Sequence, residues 1–233
     1  MTQTIVFTGV RVEAEDGRPI LHDLTLTLKE ARVGIIGANG AGKSTLIRLI
    51  NGLAKPAAGT VEVDGMSVAK EVRAVRRKVG FLFQHPDAQI VMPTPAEDIA
   101  FGLKGLKLDK AEVARRVAAA LARFGLAGFD DRPAYMLSGG EKQRLALAGV
   151  MALDPEILVM DEPTTMLDLA GRRMFARLVA GLAQRVVLAT HDLDLLAAYD
   201  RVLVIDGGRI VHDGPPAQAR AFYETLISAR DGG

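Results

Sequence analysis

The 233-residue sequence predicts an α/β fold, and three observations predict it. The stretch Gly37-Ala38-Asn39-Gly40-Ala41-Gly42-Lys43-Ser44-Thr45 satisfies the pattern G-x-x-x-x-G-K-[ST] between an apolar run, Ala31 to Ile36, and helical spacing from Thr45 to Leu53. Strand-like alternation fills the chain before that loop. Helical spacing dominates from Gln84 to Ala152, and short apolar runs ending in polar residues follow it.

Strand, loop and helix in that order make a phosphate cradle. Glycines open backbone conformations closed to residues with a Cβ, so successive N–H groups turn onto phosphate oxygens at a helix N-terminus. Lys43 adds a cation near the terminal phosphates, and the Ser44 hydroxyl is placed to ligate magnesium. A nucleoside triphosphate is the expected ligand.

Composition sets bounds on that reading. Apolar residues at 49% and charged residues at 24% are ordinary for a soluble globular protein. A net charge of +1 lacks the basic footprint of a chain that works on a polyanion, so nucleic acid is not an expected partner. With no cysteine, disulfides and thiolate zinc sites are excluded. The start, Met1-Thr2-Gln3-Thr4-Ile5, has no basic region followed by an apolar one, and no apolar run approaches the ~20 residues that cross a bilayer. A cytoplasmic location is expected.

In chain order, Ile5 to Ala14 and Ile20 to Leu28 alternate as strands, with Leu24, Leu26 and Leu28 on one face and Asp16-Gly17 between them. They predict an antiparallel pair. Gly59 to Val63 is a further strand turning at Asp64-Gly65, which makes the early sheet antiparallel. Lys78 to Phe83 returns as a strand, with Arg73, Arg76, Arg77 and Lys78 read as a solvated helix face. Pro95 to Leu103 predicts a short helix, and Val113, Val117, Leu121 and Phe124 mark another over Lys110 to Phe124. Residues 85–152 are therefore read as a helical subdomain inserted into a core made of 1–84 and 153–233.

That subdomain closes at Leu137-Ser138-Gly139-Gly140-Glu141, where Ser138 caps a helix from about Gly140 to Ala152. Two glycines strip the helix start of side chains and leave its N–H groups open to an anion. It is either a second phosphate site or a capped helix with no ligand. Farther on, Ile157 to Met160 is a buried strand ending in Asp161-Glu162-Pro163. Two carboxylates at the carboxyl end of a strand lie where open α/β sheets bind ligands, and burying them calls for a cation. Asp161 is assigned to the magnesium shell and Glu162 to the attacking water. Val186 to Ala189 leads to His191 at the same edge, within reach of a terminal phosphate and that water. Arg201 to Ile205 and Arg209 to Gly214 predict a hairpin around Gly207-Gly208, and Pro216 to Ser228 a terminal helix.

The phosphate loop, Leu137 to Glu141, the Asp161-Glu162 strand end, the Thr165-Met166-Leu167-Asp168 segment and His191 stand in the order of the ATP-binding-cassette (ABC) ATPases. The resemblance covers essentially the whole chain, and the ordered set is far more specific than any one motif. It implies a P-loop NTPase fold with a RecA-like core and an antiparallel β subdomain. It implies ATP and Mg2+ as ligands, a catalytic set of Lys43, Gln84, Glu162 and His191, and a metal shell of Ser44, Gln84 and Asp161. It also implies that Ser138, Gly139 and Gly140 bind the γ-phosphate of an ATP held by a second ATPase subunit, with Asp168 at the dimer seam.

Phe83-Gln84-His85-Pro86-Asp87-Ala88-Gln89, followed by Ala96 to Gly102, resembles the energy-coupling-factor (ECF) branch, which imports vitamins or transition-metal ions. There Gln89 would meet a transmembrane coupling protein, itself joined to a substrate-binding membrane protein, and the ATPase would sit on the inner face of the cell membrane. Little follows Gly214, and this short form is similar to the ATPases of bacterial biotin uptake systems. The competing class is a soluble ATPase of the same superfamily acting on nucleic acid or the ribosome. Those chains usually carry coiled-coil insertions, zinc modules or tandem cassettes, none of which is present here. Where the family commonly stacks an aromatic residue on adenine, the alignment puts Ala14; Glu141 replaces a frequent glutamine, and Met166 a small residue.

Overall fold

In the computed structural model, which describes residues 4–231, two sheets meet beside the glycine-rich loop. The expectation drawn from the start, Met1 to Ile5, falls partly on residues 1–3, which lie outside the described residues. β1 (Ile5–Glu13) and β2 (Pro19–Leu28) pair antiparallel, and Leu24, Leu26 and Leu28 all point into the core. β3 (Arg32–Ile36) starts the second sheet, and α1 (Lys43–Ile50) follows the loop. β4 (Ala58–Val63) returns beside β1, and the two-residue β5 (Met66–Ser67) completes a sheet of order β2-β1-β4-β5. The turn joining β4 to β5 holds Asp64 at φ 52° and Gly65 at φ 76°, the paired left-handed conformation that an Asp-Gly hairpin supplies.

The chain continues through α2 (Val72–Lys78), β6 (Val79–Leu82), α3 (Pro95–Leu103), α4 (Lys110–Arg123) and α5 (Gly139–Ala152). Then come β7 (Ile157–Asp161), α6 (Leu169–Ala180), β8 (Arg185–Ala189), β9 (Arg201–Asp206), β10 (Arg209–Gly214) and α7 (Pro216–Asp231). The second sheet has the order β10-β9-β3-β8-β7-β6, parallel except for β10. β6, β7 and β8 are buried at every position, which is why they read as unbroken apolar runs rather than alternations.

Successive side chains of a strand leave on opposite faces, and this separates two cores. Ile35, Val159 and Val187 pack with α1 and the antiparallel sheet, whereas Ile36, Met160 and Leu188 pack with α5 and, beyond it, α3 and α4. The close approach of α5 to the sheet needs Gly80: a Cβ there would stand 2.4 Å from Val150 Cγ1. The helices start on the caps their sequences supply. Thr94 caps α3 with Pro95 in the first turn, Asp109 caps α4, and Ser138 forms a reciprocal capping box with Glu141 on α5.

One helix escaped the sequence reading. α6 follows the 165–168 segment, capped by Asp168, and buries only Phe175 and Val179 among exposed charges. Leu178 packs against the core beside them, so the apolar residues of α6 do stand at helical spacing. Among the described residues no helix is long and apolar enough to cross a membrane.

Candidate active site

Because β3, β6, β7 and β8 are parallel, their carboxyl ends share one edge. Leu82 lies opposite Met160, while Asp161 and Ile35 both lie opposite Ala189. The glycine-rich loop, Gln84, Glu162 and His191 leave that edge together and line a cleft of about 640 Å³. Most of the loop from Gly37 to Thr45 is in its wall. Two of the glycines are required: a Cβ at Gly37 would fall 2.2 Å from the Ile205 carbonyl oxygen, and Gly42 takes φ 105°, which side chains with a Cβ rarely adopt. α1 begins without a side-chain cap, so its first N–H groups face the cleft unclaimed by a neighbouring side chain.

Inside this cleft a buried charge network is already assembled. Lys43 Nζ donates to the carbonyl oxygens of Gly37 (2.8 Å) and Ala38 (3.2 Å) and stands 3.5 Å from Glu162 Oε1. Ser44 Oγ donates to Asp161 Oδ1 at 2.7 Å, and Arg48 pairs with Asp161 Oδ2 at 3.1 Å. Asp161 is wholly buried, so these two partners offset a desolvation that an isolated carboxylate would not survive. Glu162 follows at φ 46°, uncommon for a residue with a side chain, and its N–H is held by the Ala189 carbonyl at 2.8 Å. That backbone twist presents the carboxylate to His191. Its Oε2 accepts the His191 backbone N–H at 3.2 Å and lies 2.7 Å from Nδ1. An ionised carboxylate only accepts, so Nδ1 carries the proton.

The donor set fits Mg2+. Ser44 Oγ and Asp161 Oδ1 are hard oxygens side by side, and Gln84 stands in the same cleft. Among the described residues no group of three His, Cys, Asp or Glu side chains forms a self-sufficient metal cage. Mg2+ bound through one or two protein oxygens plus phosphates and water needs none.

Ser138, Gly139 and Gly140 are not in this cleft's wall. Ser138 N–H donates to Glu141 Oε2 at 2.7 Å, and Glu141 N–H to Ser138 Oγ at 3.3 Å; the first of these bonds holds the Glu141 carboxyl below its usual range. A Cβ at Gly139 or Gly140 would meet nothing nearer than 3.5 or 3.9 Å, so packing within the chain does not require either glycine. Asp168 is exposed and accepts the Gly171 N–H. Gln89 is turned inward: it accepts the Phe83 N–H at 3.2 Å and donates to the Ala146 carbonyl at 3.4 Å. Ala14 sits in the β1–β2 turn, giving its N–H to Arg18, and is not in the wall of the cleft.

Three residues of the wall, Ile20, Thr165 and Tyr223, were not singled out from the sequence for this site. Thr165 has a buried hydroxyl without a hydrogen-bond partner, and Tyr223 reaches the cleft from α7. Thr165 lay inside a quoted motif, whereas a tyrosine in a C-terminal helix carries no local signal.

A family profile described as ABC transporter matches residues 21–165, more than half of the chain. The chain belongs to the ABC transporter family. It binds ATP and is an ATP-hydrolysing transport ATPase of the P-loop ABC fold. The biotin transport ATP-binding protein BioM of Rhizobium etli is 49% identical, over 91% of this chain and 94% of that protein. Among solved structures, cbiO1 from Clostridium perfringens, part of the ABC transporter complex cbiONQ, superposes with TM-score 0.83 at 33% identity, covering 96% of this chain and 93% of that one. A dimeric ATP-binding cassette in a post-hydrolysis state, bound to ADP and Pi, superposes with TM-score 0.81 at 27% identity, covering 91% and 98%.

Proposed function

We propose that the chain is the motor subunit of an ECF-type importer on the inner face of the cell membrane, working as an ATP-dependent dimer that drives uptake of a vitamin, biotin in the first instance. One observation carries the motor reading: Lys43, Ser44, Asp161, Glu162 and His191 converge in one cleft, while the open helix start at Ser138 stays outside it. The cleft is half of a site. The other half is the Ser138 to Gly140 start of a second subunit, whose uncrowded glycines and helix N-terminus suit a γ-phosphate.

Lys43 holds the terminal phosphates, exchanging the backbone carbonyls and Glu162 for phosphate oxygens. Ser44 and Asp161, with Gln84, are the residues that would hold Mg2+, which when bound supplies charge neutralisation between the β- and γ-phosphates. Glu162 orients and deprotonates the attacking water, and His191 fixes the carboxylate through its backbone N–H and its ring. Asp168, exposed at the start of α6, lies at the seam between subunits.

Transmission to the membrane runs through the segment after Gln84. Lys142 of α5 pairs with Asp87 at 2.7 Å, and Gln89 ties the same segment to Ala146 of α5. Gln89 thereby acts as the internal brace of the surface that meets the transmembrane partner, with exposed His85, Asp87, Ala88 and Val91 as the contacting residues. The biotin reading is supported by the near full-length likeness to BioM. Isolating the chain with its native membrane partners and identifying the co-purifying small molecule by mass spectrometry tests both levels. Biotin is expected; another vitamin or a metal ion replaces the substrate, and recovery with nucleic acid or ribosomes but no membrane protein overturns the importer.

A further inference from the structure

The C-terminal hairpin and helix are built against the phosphate loop. Gly37 packs on the Ile205 carbonyl at the end of β9, and the Gly208 N–H donates to the Ala41 carbonyl at 3.2 Å, so the β9–β10 turn braces the loop from behind. α7 then lies over β9 and β10. It is anchored by the fully buried Ala219, by Leu226, and at its far end by an ion pair between Arg230 and Asp206.

This anchoring brings Tyr223 into the wall of the cleft with Lys43, Gln84, Glu162 and His191. The ring packs with the core that contains Ile36, Met160 and Leu188, on the face of the sheet opposite α1. Ile20 lines the cleft from the other core, on the antiparallel-sheet side where an adenine-stacking residue was expected. Tyr223 and Ile20 thus come to the cleft from opposite faces of the sheet, Tyr223 on the helix that covers β9 and β10. Burial raises the phenol above its ordinary range, Arg230 opposes that rise, and the carboxylates of Asp206 and Glu162 add to it.

We propose that Tyr223 is a nucleotide-contacting residue of the cleft it lines with Lys43 and Glu162, donating its phenol hydrogen to the bound triphosphate or its attacking water, and that α7 is thereby part of the ATP site. A neutral O–H is a donor that adds no charge beside Glu162. The inference rests on the proposed roles of Lys43 and Glu162. It also makes the position of α7 sensitive to whether ATP or ADP fills the cleft.

The absence of tryptophan makes the test direct. Tyr223→Trp introduces a single indole in the cleft, and Phe222→Trp introduces one on the neighbouring exposed position of the same helix. Titration with ATP and Mg2+ is expected to change the emission of the first and not of the second, and adding Lys43→Ala to the first is expected to remove the change. Tyr223→Phe is expected to lower kcat about three- to ten-fold, the range of one neutral hydrogen bond, with KM for ATP changed less than two-fold. Equal emission changes at 222 and 223, no change at 223, or wild-type kcat in Tyr223→Phe overturns the contact. If Lys43→Ala itself binds ATP as wild type does, the reading of the cleft fails first, and the two failures are thereby told apart.

Discussion

The two helix starts proposed to receive an anion are finished to different degrees. At α1 the chain surrounds the helix start with its own chemistry: Lys43 reaches Glu162, Ser44 reaches Asp161, and Glu162 reaches His191. At α5 the start carries a capping box and two glycines that no described residue crowds, and it stays outside the cleft that α1 lines. The first site is specified by contacts within one chain. The second is specified by what the chain leaves out, which is the arrangement a shared site between two subunits requires.

The largest effect that can break this contrast is at Lys43. Lys43→Ala is expected to weaken ATP binding about 100-fold, since a buried charge-assisted contact is lost, and isothermal titration reads it. Wild-type affinity would remove the α1 site from consideration. Glu162→Gln keeps the volume but loses the base. Turnover is expected to fall about 10²- to 10⁴-fold while ATP still binds and the dimer accumulates, measured by phosphate release and by sizing with ATP and Mg2+. Unchanged turnover would reassign the water to another group.

A sharper test pairs the two regions. Gly140→Asp places a carboxylate at the α5 start and is expected to abolish turnover while leaving ATP affinity of the isolated chain within about two-fold. Mixed with Lys43→Ala chains, it forms dimers in which one composite site has both parts intact. Activity should therefore appear only on mixing. A mixture as inactive as its components would refute the shared site.

The smallest expected effect concerns the cap alone. Ser138→Ala is expected to cost about 1 kcal/mol, seen as a thermal midpoint lower by about 2–4 °C. The Glu141 carboxyl is held below its unfolded value by Ser138, so its stabilisation is present above the ordinary glutamate range and is lost as pH falls through its folded value. Glu141→Gln keeps an acceptor without that titration. Its thermal midpoint should fall less than that of the wild type between neutral and acid pH, and parallel curves would show that the box contributes no pH dependence.

Much of this was legible in one dimension because the relevant physics is local. Gly37 to Thr45 names its own loop, Ser138 and Glu141 name a helix start, and Asp161-Glu162 ends an apolar run that no solvent-exposed strand would carry. α6 was not read although Phe175, Leu178 and Val179 stand at helical spacing; its period is local, and only its docking on the core is long-range. Gln89 was expected in a segment that meets a membrane partner; its bonds within the chain, to Phe83 and Ala146, were not legible because those partners are 6 and 57 residues away and no motif encodes them.

What the sequence by itself determined is the chemistry: a phosphate loop, a carboxylate pair, a histidine and a capped glycine helix start, each set by residue type at fixed short spacing. Only the tertiary structure decided which of these share a cleft. Parallel strands bring residues 43, 84, 162 and 191 to one edge, add Tyr223 from the end of the chain, and leave Ser138 outside. Strand order and helix docking are long-range packing choices, made by which apolar faces bury each other, and no short stretch of sequence contains them.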